Sequence, residues 1–454
     1  MSMRIAMFSP LSPLRTAIAD HVEGLLPYLA EFADTDLFID DGYVPSNPSV
    51  RNNFAIHNYR DFPKMASQYE IAVYHMGNEP HYHGYIYRTL LQYPGIVVLH
   101  DLVLHHCIYG LTVAKGNIEG YLAEMRYAYG REGEIVATQI LEGRNPDLMY
   151  HYPLMERVLD NSRGVIVHNN YARQQLQKRR PKLPVRCIPQ HFYLPDKSIL
   201  TEDRETLRER LGLKDRFVVA SFGILGDKQL HVTLQAFNRF RRICPQAMYL
   251  LVGPTNDDVA TLMGSLGLED VVRVVGWQDP IHFVRYMLVT DLAIQLKYPH
   301  VGGTPYTPIR LLGLGIPTII SNIEPLAEIP ENCCARVDLG GTEEDELFVI
   351  MQYLATHETA RQEMAENGRS YVLENHEPHK VALQYKGFIK SILSTPLRAM
   401  SGIDRINSWQ ERLIEDVAAI LAEWDVSAED DHLLLPIANA IASLGIRAWE
   451  AIDD

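Results

Sequence analysis

Short, continuous apolar runs that end in Gly, Pro, Asp or His alternate along the chain with amphipathic stretches. That rhythm suits strands buried on both faces of a parallel sheet, each followed by a helix. In the first half the predicted strands are Arg4–Ser9, Asp36–Ile39, Ile71–His75, Ile96–His100, Gly164–His168 and Val185–Ile188. Ser12-Pro13 reads as an N-cap followed by a first-turn proline. Ile18, Val22, Leu25, Leu26 and Leu29 then recur at helical spacing. Residues 111–160 read as helix-rich, with no turn cluster before Arg144-Asn145-Pro146.

The rhythm restarts in the second half. Strands are predicted at Phe217–Gly223, Met248–Gly253, Val271–Gly276, Asp291–Leu296 and Pro317–Ser321, with helices at Leu230–Arg242, Asp257–Leu266, Pro280–Leu288 and Pro308–Leu314. Pro189–Lys214 reads as an inter-domain linker with a lead-in helix. From about residue 395 the pattern is helical alone, in Ile406–Trp424 and Leu433–Trp449. The expected fold class is therefore α/β: a doubly wound, Rossmann-like domain over 1–195, a second over 200–390, and a C-terminal helical extension over 395–454. Such sheets bind ligands outside the carboxyl ends of their strands, so a cleft between two of them is the expected site.

A length of 454 residues suits two or three domains, and 47% hydrophobic with 22% charged residues promises a sizeable core. The net charge of −15 argues against a nucleic-acid partner, whose phosphates require an excess of Lys and Arg. One local basic stretch, Arg173 to Arg186, reads as a solvated helix end and loop or, more sharply, as a contact for anionic lipid or an acidic acceptor. The five cysteines have no metal or redox spacing and read as reduced thiols. With no signal-like or membrane-spanning run, a cytoplasmic protein is expected.

Chemistry is sought at the strand ends. After Phe217–Gly223 comes Ile224-Leu225-Gly226-Asp227-Lys228, in which glycine permits close approach and the lysine supplies a cation for phosphate. Neither a Walker A nor a GxGxxG pattern is present. After Asp291–Leu296, Lys297 is followed by Gly302-Gly303-Thr304 at a strand-to-helix junction, where free N–H groups can face an anion. Histidines 75, 81, 83, 100, 105, 106, 168 and 191 collect at strand ends and loops of the first half. They lack zinc-like spacing with acidic partners and read as cleft-lining or structural groups rather than a metal site. Asp101 either positions the His100 ring or caps the next helix.

The segments "SFGILGDKQL", "AMYLLVG", "VVRVVGW" and "DLAIQLKYPHVGGTPYTPIRLLGLGIPTIISNIEPLAEIP" resemble, in order, the C-terminal domain of the retaining GT-B glycosyltransferases of family 4 (glycosyl transferases group 1). "MRIAMFSPLSPLRTAIADHVEGLLPYL", "YHMGNEPHYHGYIY", "GIVVLHDLVLHH" and "GVIVHNNYAR" are similar to the first domain of a bacterial subgroup. The resemblance spans roughly residues 3 to 390. It implies hexosyl transfer from a nucleoside-diphosphate sugar, with retention, to a glycan, lipid-linked or protein acceptor. No cofactor and no metal are expected under that scheme. It also implies roles. Lys228 would contact the diphosphate, and Gly302, Gly303 and Thr304 would offer amides beside Glu328. His100 would face the donor across the cleft, and Thr16 and Ala17 would approach the diphosphate from the first domain. Asn78, His83, Asp101 and His105 fall on the acceptor side. Departures accompany the match: the family's two donor-site glutamates fall at Gly302 or Gly303 and at Arg310, its arginine at Ile224, and its opening glycine at Ala17. Lys297 and Arg310 restore positive charge, but Arg310 cannot accept a ribose hydroxyl bond. A member altered in catalysis that binds sugar nucleotide or glycan is the alternative; an epimerase or phosphorylase is a further one.

Overall fold

The computed structural model describes residues 3–225, 229–255 and 258–395, together with residues 421, 430, 432 and 436. Lys228 and nearly all of the expected helical extension lie outside the described residues.

The first sheet contains β1 (Met3–Phe8), β2 (Ala33–Ile39), β3 (Ile56–Asn58), β4 (Ile71–Met76), β5 (Gly95–Leu99), β6 (Ser162–Val167) and β7 (Val185–Cys187). All its pairings are parallel, in the order β3-β2-β1-β4-β5-β6-β7. The second contains β8 (Phe217–Phe222), β9 (Ala247–Val252), β10 (Val272–Val274), β11 (Leu292–Gln295), β12 (Thr318–Ser321) and β13 (Ala335–Val337). It too is wholly parallel, in the order β10-β9-β8-β11-β12-β13. These are two doubly wound sheets with the same order over six strands, the first carrying β7 as a seventh.

The apolar runs follow from burial on both faces. In β1, Ala6 and Phe8 join one core cluster while Ile5 and Met7 join another. Alternation is lost from the sequence because both faces of the strand are dry. The three-residue strands β3 and β13 were not predicted: β3 carries His57 and Asn58 and β13 carries Arg336, so neither lies in an apolar run. Ser12 is not the first helix cap. The helix runs Ala17–Leu29 and Thr16 caps it, its Oγ1 accepting from the Ile18 amide at 3.3 Å. The Ser12 amide and hydroxyl instead donate to Glu23 Oε1 at 2.7 and 2.6 Å.

The last described helix, Pro378–Ser394, follows the second sheet in sequence but packs on the first domain. Its Val381, Tyr385, Phe388, Ile389 and Ile392 share a core with Ile5, Val98 and Ile166. Glu377 sets its start by accepting from the amides of His379 and Lys380. Packing thus returns residues 378–394 to the first domain, where the sequence rhythm placed this helix with the second half. Ile389→Ala, at a site only 1% exposed, is expected to cost about 2–5 kcal/mol. The loss should appear in urea unfolding as an earlier transition of the first domain.

Candidate active site

Strand order reverses between β1 and β4 in one sheet and between β8 and β11 in the other, and in such folds ligands gather at that point. In the second domain the described flanking segments are residues 223–225 and residues 296–305. The second of these lies directly against the strand ends of the first domain.

The contact is a hydrogen-bonded seam. The amides of Leu102 and Val103 both donate to the Val301 carbonyl, at 2.8 and 3.1 Å. Asn169 Nδ2 donates to the Gly302 carbonyl at 3.2 Å and to Thr304 Oγ1 at 3.0 Å. The Thr304 hydroxyl donates to the His168 carbonyl at 3.3 Å, and Gln190 Nε2 donates to the Thr304 carbonyl at 2.9 Å. The Asn170 amide donates to the Glu328 carboxylate. A Cβ at Gly303 would stand 1.9 Å from the His100 carbonyl oxygen, and Gly302 holds φ +78°, so neither position admits a side chain without displacement. The Gly302 amide is engaged by His300 Nδ1 at 3.2 Å.

Two charged contacts also join the domains. Arg310, 4% exposed, donates through Nη2 to Asp20 Oδ2 at 3.1 Å and lies 4.8 Å from the Tyr306 ring. Burial works against its charge, but Asp20 and Tyr306 outweigh that and raise its pKa. Arg15 stacks on Trp277 with its guanidinium 4.2 Å from the ring.

Ala17 opens the first helix and is exposed. Lys297 donates its amide to Ser321 Oγ at 2.8 Å, and its charge is felt by Asp101. Burial raises the Asp101 carboxyl above its ordinary range, and its Oδ2 accepts the Asn78 amide at 3.0 Å. It is therefore the start of the Asn78 loop that Asp101 holds. Asn78 accepts from the Cys107 amide and pairs with His106. His83 is buried, with Nδ1 2.9 Å from the Glu79 carbonyl. His105 has both ring nitrogens engaged inside the first domain, by the Tyr152 carbonyl at 2.6 Å and Tyr121 Oη at 2.7 Å.

His100 does not stand alone. It joins His21, His75, His168 and His191, all 7% exposed or less. Burial lowers every one of their pKa values: His75 and His191 to about 3, His168 to about 4, and His21 and His100 well below the ordinary value. Their mutual repulsion when charged adds to this.

Sequence reading missed Arg15, Asp20, His21, Asn169, Gln190 and Trp277. For His21 a signal existed. It falls at i+3 from Ile18, inside the apolar stripe of the first helix, and a polar residue in such a stripe asks for a partner. The basic stretch is partly neutralised, Arg179 pairing with Glu156 and Arg180 with Asp160. Among the described residues no helix is long and apolar enough to cross a membrane.

Residues 203–371 match the family model "Glycosyl transferases group 1". Alpha-D-kanosaminyltransferase of Streptomyces kanamyceticus is 23% identical over 213 residues, 45% of this chain. That alignment spans 54% of the curated relative's length. Among solved structures, Anabaena HepE in complex with UDP-glucose is similar at a TM-score of 0.61, 15% identity, and 86% and 100% coverage of the two chains. Sucrose-phosphate synthase from Thermosynechococcus elongatus is similar at 0.59, 15% identity, and 86% and 99% coverage. The fold is GT-B, with two Rossmann-type domains.

Two outcomes follow from the site's electrostatics. The folded-state pKa values of the five histidines lie below the unfolded value of about 6.5. Between those limits the unfolded chain binds more protons, so their contribution is fully present above about pH 6.5 and is lost as pH falls toward about 4. The urea midpoint should drop steeply from about pH 7.5 to about pH 5, and a flat profile would count against the buried cluster. Asp20→Ala should cost about 1–3 kcal/mol, less than a fully buried pair because Asp20 is 31% exposed. Asp20→Ala/Arg310→Met should recover part of that loss in thermal unfolding.

Proposed function

We propose that this chain is a retaining glycosyltransferase, moving a hexose from a nucleoside-diphosphate sugar to a glycan, lipid-linked or protein acceptor. The observation that carries the reading is the seating of loop 296–305, at the second sheet's switch point, on His100–Val103 of the first domain. The family-model match over residues 203–371 supports the donor side.

As the anomeric bond breaks, the diphosphate gains negative charge. Lys228, Lys297, the amides around Gly303-Thr304 and the start of helix Tyr306–Gly313 would stabilise it. Thr16 and Ala17, at the start of the first helix, approach from the other domain. His100 forms the facing wall and orients the donor, while Asn78, His83 and Asp101 lie toward the acceptor. His105, with both nitrogens engaged, would support that wall from within. Same-face substitution leaves a phosphate oxygen to take the acceptor proton, a scheme that draws on no metal. Admission of the donor requires the seam to part, and Glu328 and Asn169 then exchange partners with it. The free thiols suit work in the cytoplasm, and the uncompensated part of the Arg173–Arg186 stretch suits contact with an anionic surface.

A second reading has its own observation. Arg310, where the family places a ribose-holding glutamate, is occupied by Asp20, which favours a sugar-nucleotide-binding role without turnover. Nucleotide release from UDP-, GDP-, ADP- and TDP-sugars separates the two. UDP-sugars come first, since HepE was solved with UDP-glucose. Release from one donor is expected, falling about 100-fold or more in Lys228→Ala. A thermal shift without release would favour the binding role. Silence in both, or full turnover in Lys228→Ala, would contradict the proposed site.

A further inference from the structure

Beneath the wall that carries the seam, five imidazoles converge from five elements. His21 comes from the first helix and His75 from β4. His100, His168 and His191 follow β5, β6 and β7. The ring centroids of His21, His100 and His168 lie 4.9 to 5.1 Å apart, and His191 lies 4.7 Å from His21. Buried ring nitrogens are normally paired. Here His21 Nδ1, His75 Nε2, His168 Nε2 and both nitrogens of His191 are buried without a hydrogen-bond partner among the described residues.

We propose that this cluster is a metal site, in which neutral His21, His100 and His168 bind one late first-row divalent ion of the zinc class. One ligand atom from each lies within 4.8 Å of the others, a span that inward tilting of the rings closes around one ion. The ligand atoms follow from what the opposite nitrogens do. His168 Nδ1 donates to the Ile188 carbonyl at 2.9 Å, leaving the Nε2 lone pair bare. His100 Nε2 is engaged by His75 Nδ1 at 3.0 Å, leaving Nδ1. His21 Nε2 lies 3.4 Å from Tyr385 Oη, leaving Nδ1. An outer partner on each ring is the usual support of a histidine metal ligand. Three imidazoles and no carboxylate select zinc, cobalt, nickel or copper over magnesium or calcium, and three protein ligands would leave the fourth position to water. Burial keeps the rings neutral, as ligation requires.

Such an ion would tie the first helix to the ends of β5 and β6. Those ends carry the His100 carbonyl, against Gly303, and the His168 carbonyl, which accepts from Thr304. The site rests on its own observations but shares His100 with the proposed donor wall, and it would be present in a binding-only protein as well.

The test is Co²⁺ titration of the tag-free full chain after chelator stripping, read by visible ligand-field bands, bound-metal analysis and melting temperature. One equivalent is expected, with four-coordinate bands, a raised melting temperature and displacement by Zn²⁺. His168→Asn keeps a donor where Nδ1 stands but removes Nε2, and His21→Gln keeps a group where Nε2 stands but removes Nδ1. Both should lose the bands and the melting shift, whereas His81→Ala, at an exposed position, should keep them. Either ligand variant suffices if the other fails to fold by circular dichroism. Absence of binding in the wild-type chain, or unchanged bands in a folded ligand variant, would overturn the site.

Discussion

The paired donation of the Leu102 and Val103 amides to the Val301 carbonyl is the constraint on which the arrangement of the two domains rests. Backbone groups at a domain junction must find partners or water, and here each domain completes the other. The close approach requires glycine at 302 and 303, which explains why a pair of glycines ends this strand-to-helix connection. Side chains then reinforce it from both directions: Asn169 and Gln190 reach into the second domain, and Glu328 reaches into the first.

Because the loop at the second switch point is also the loop of the seam, entry of the proposed donor would be coupled to domain opening. A donor diphosphate would replace protein–protein hydrogen bonds with protein–ligand ones, so binding need not create the closed arrangement from nothing. The Arg310–Asp20 pair and the Arg15–Trp277 stack bear on the same equilibrium, since each joins one domain to the other. The closing helix Pro378–Ser394 keeps the domains tethered from the far side by packing on the first domain's core.

Much of the fold was legible in the sequence because a strand dry on both faces leaves an unbroken apolar run, as in β1, β4 and β9. The short strands β3 and β13 leave no such run. Ser12 carried a cap-like signal, yet Glu23 captured it and the helix begins at Ala17, capped by Thr16. The loop Gly302–Thr304 was legible because strand ends and glycines mark it locally. The partnership of Asp20 with Arg310 was not, since 290 positions separate the two residues and nothing in the segment around Asp20 marks it as a partner. The histidine cluster was half legible: several members were visible at strand ends, but their convergence depends on strand order, and His21 hid within a helical stripe.

The central claim is that a nucleoside diphosphate is held where loop 296–305 meets His100–Val103. Hydrogen–deuterium exchange with and without UDP, GDP, ADP and TDP tests it most directly. The account predicts that one nucleotide changes exchange in the peptides covering residues 296–310 and 98–104, together with those around residues 223–230. Nucleotide-dependent changes confined to other segments, or none with any of the four, would contradict it.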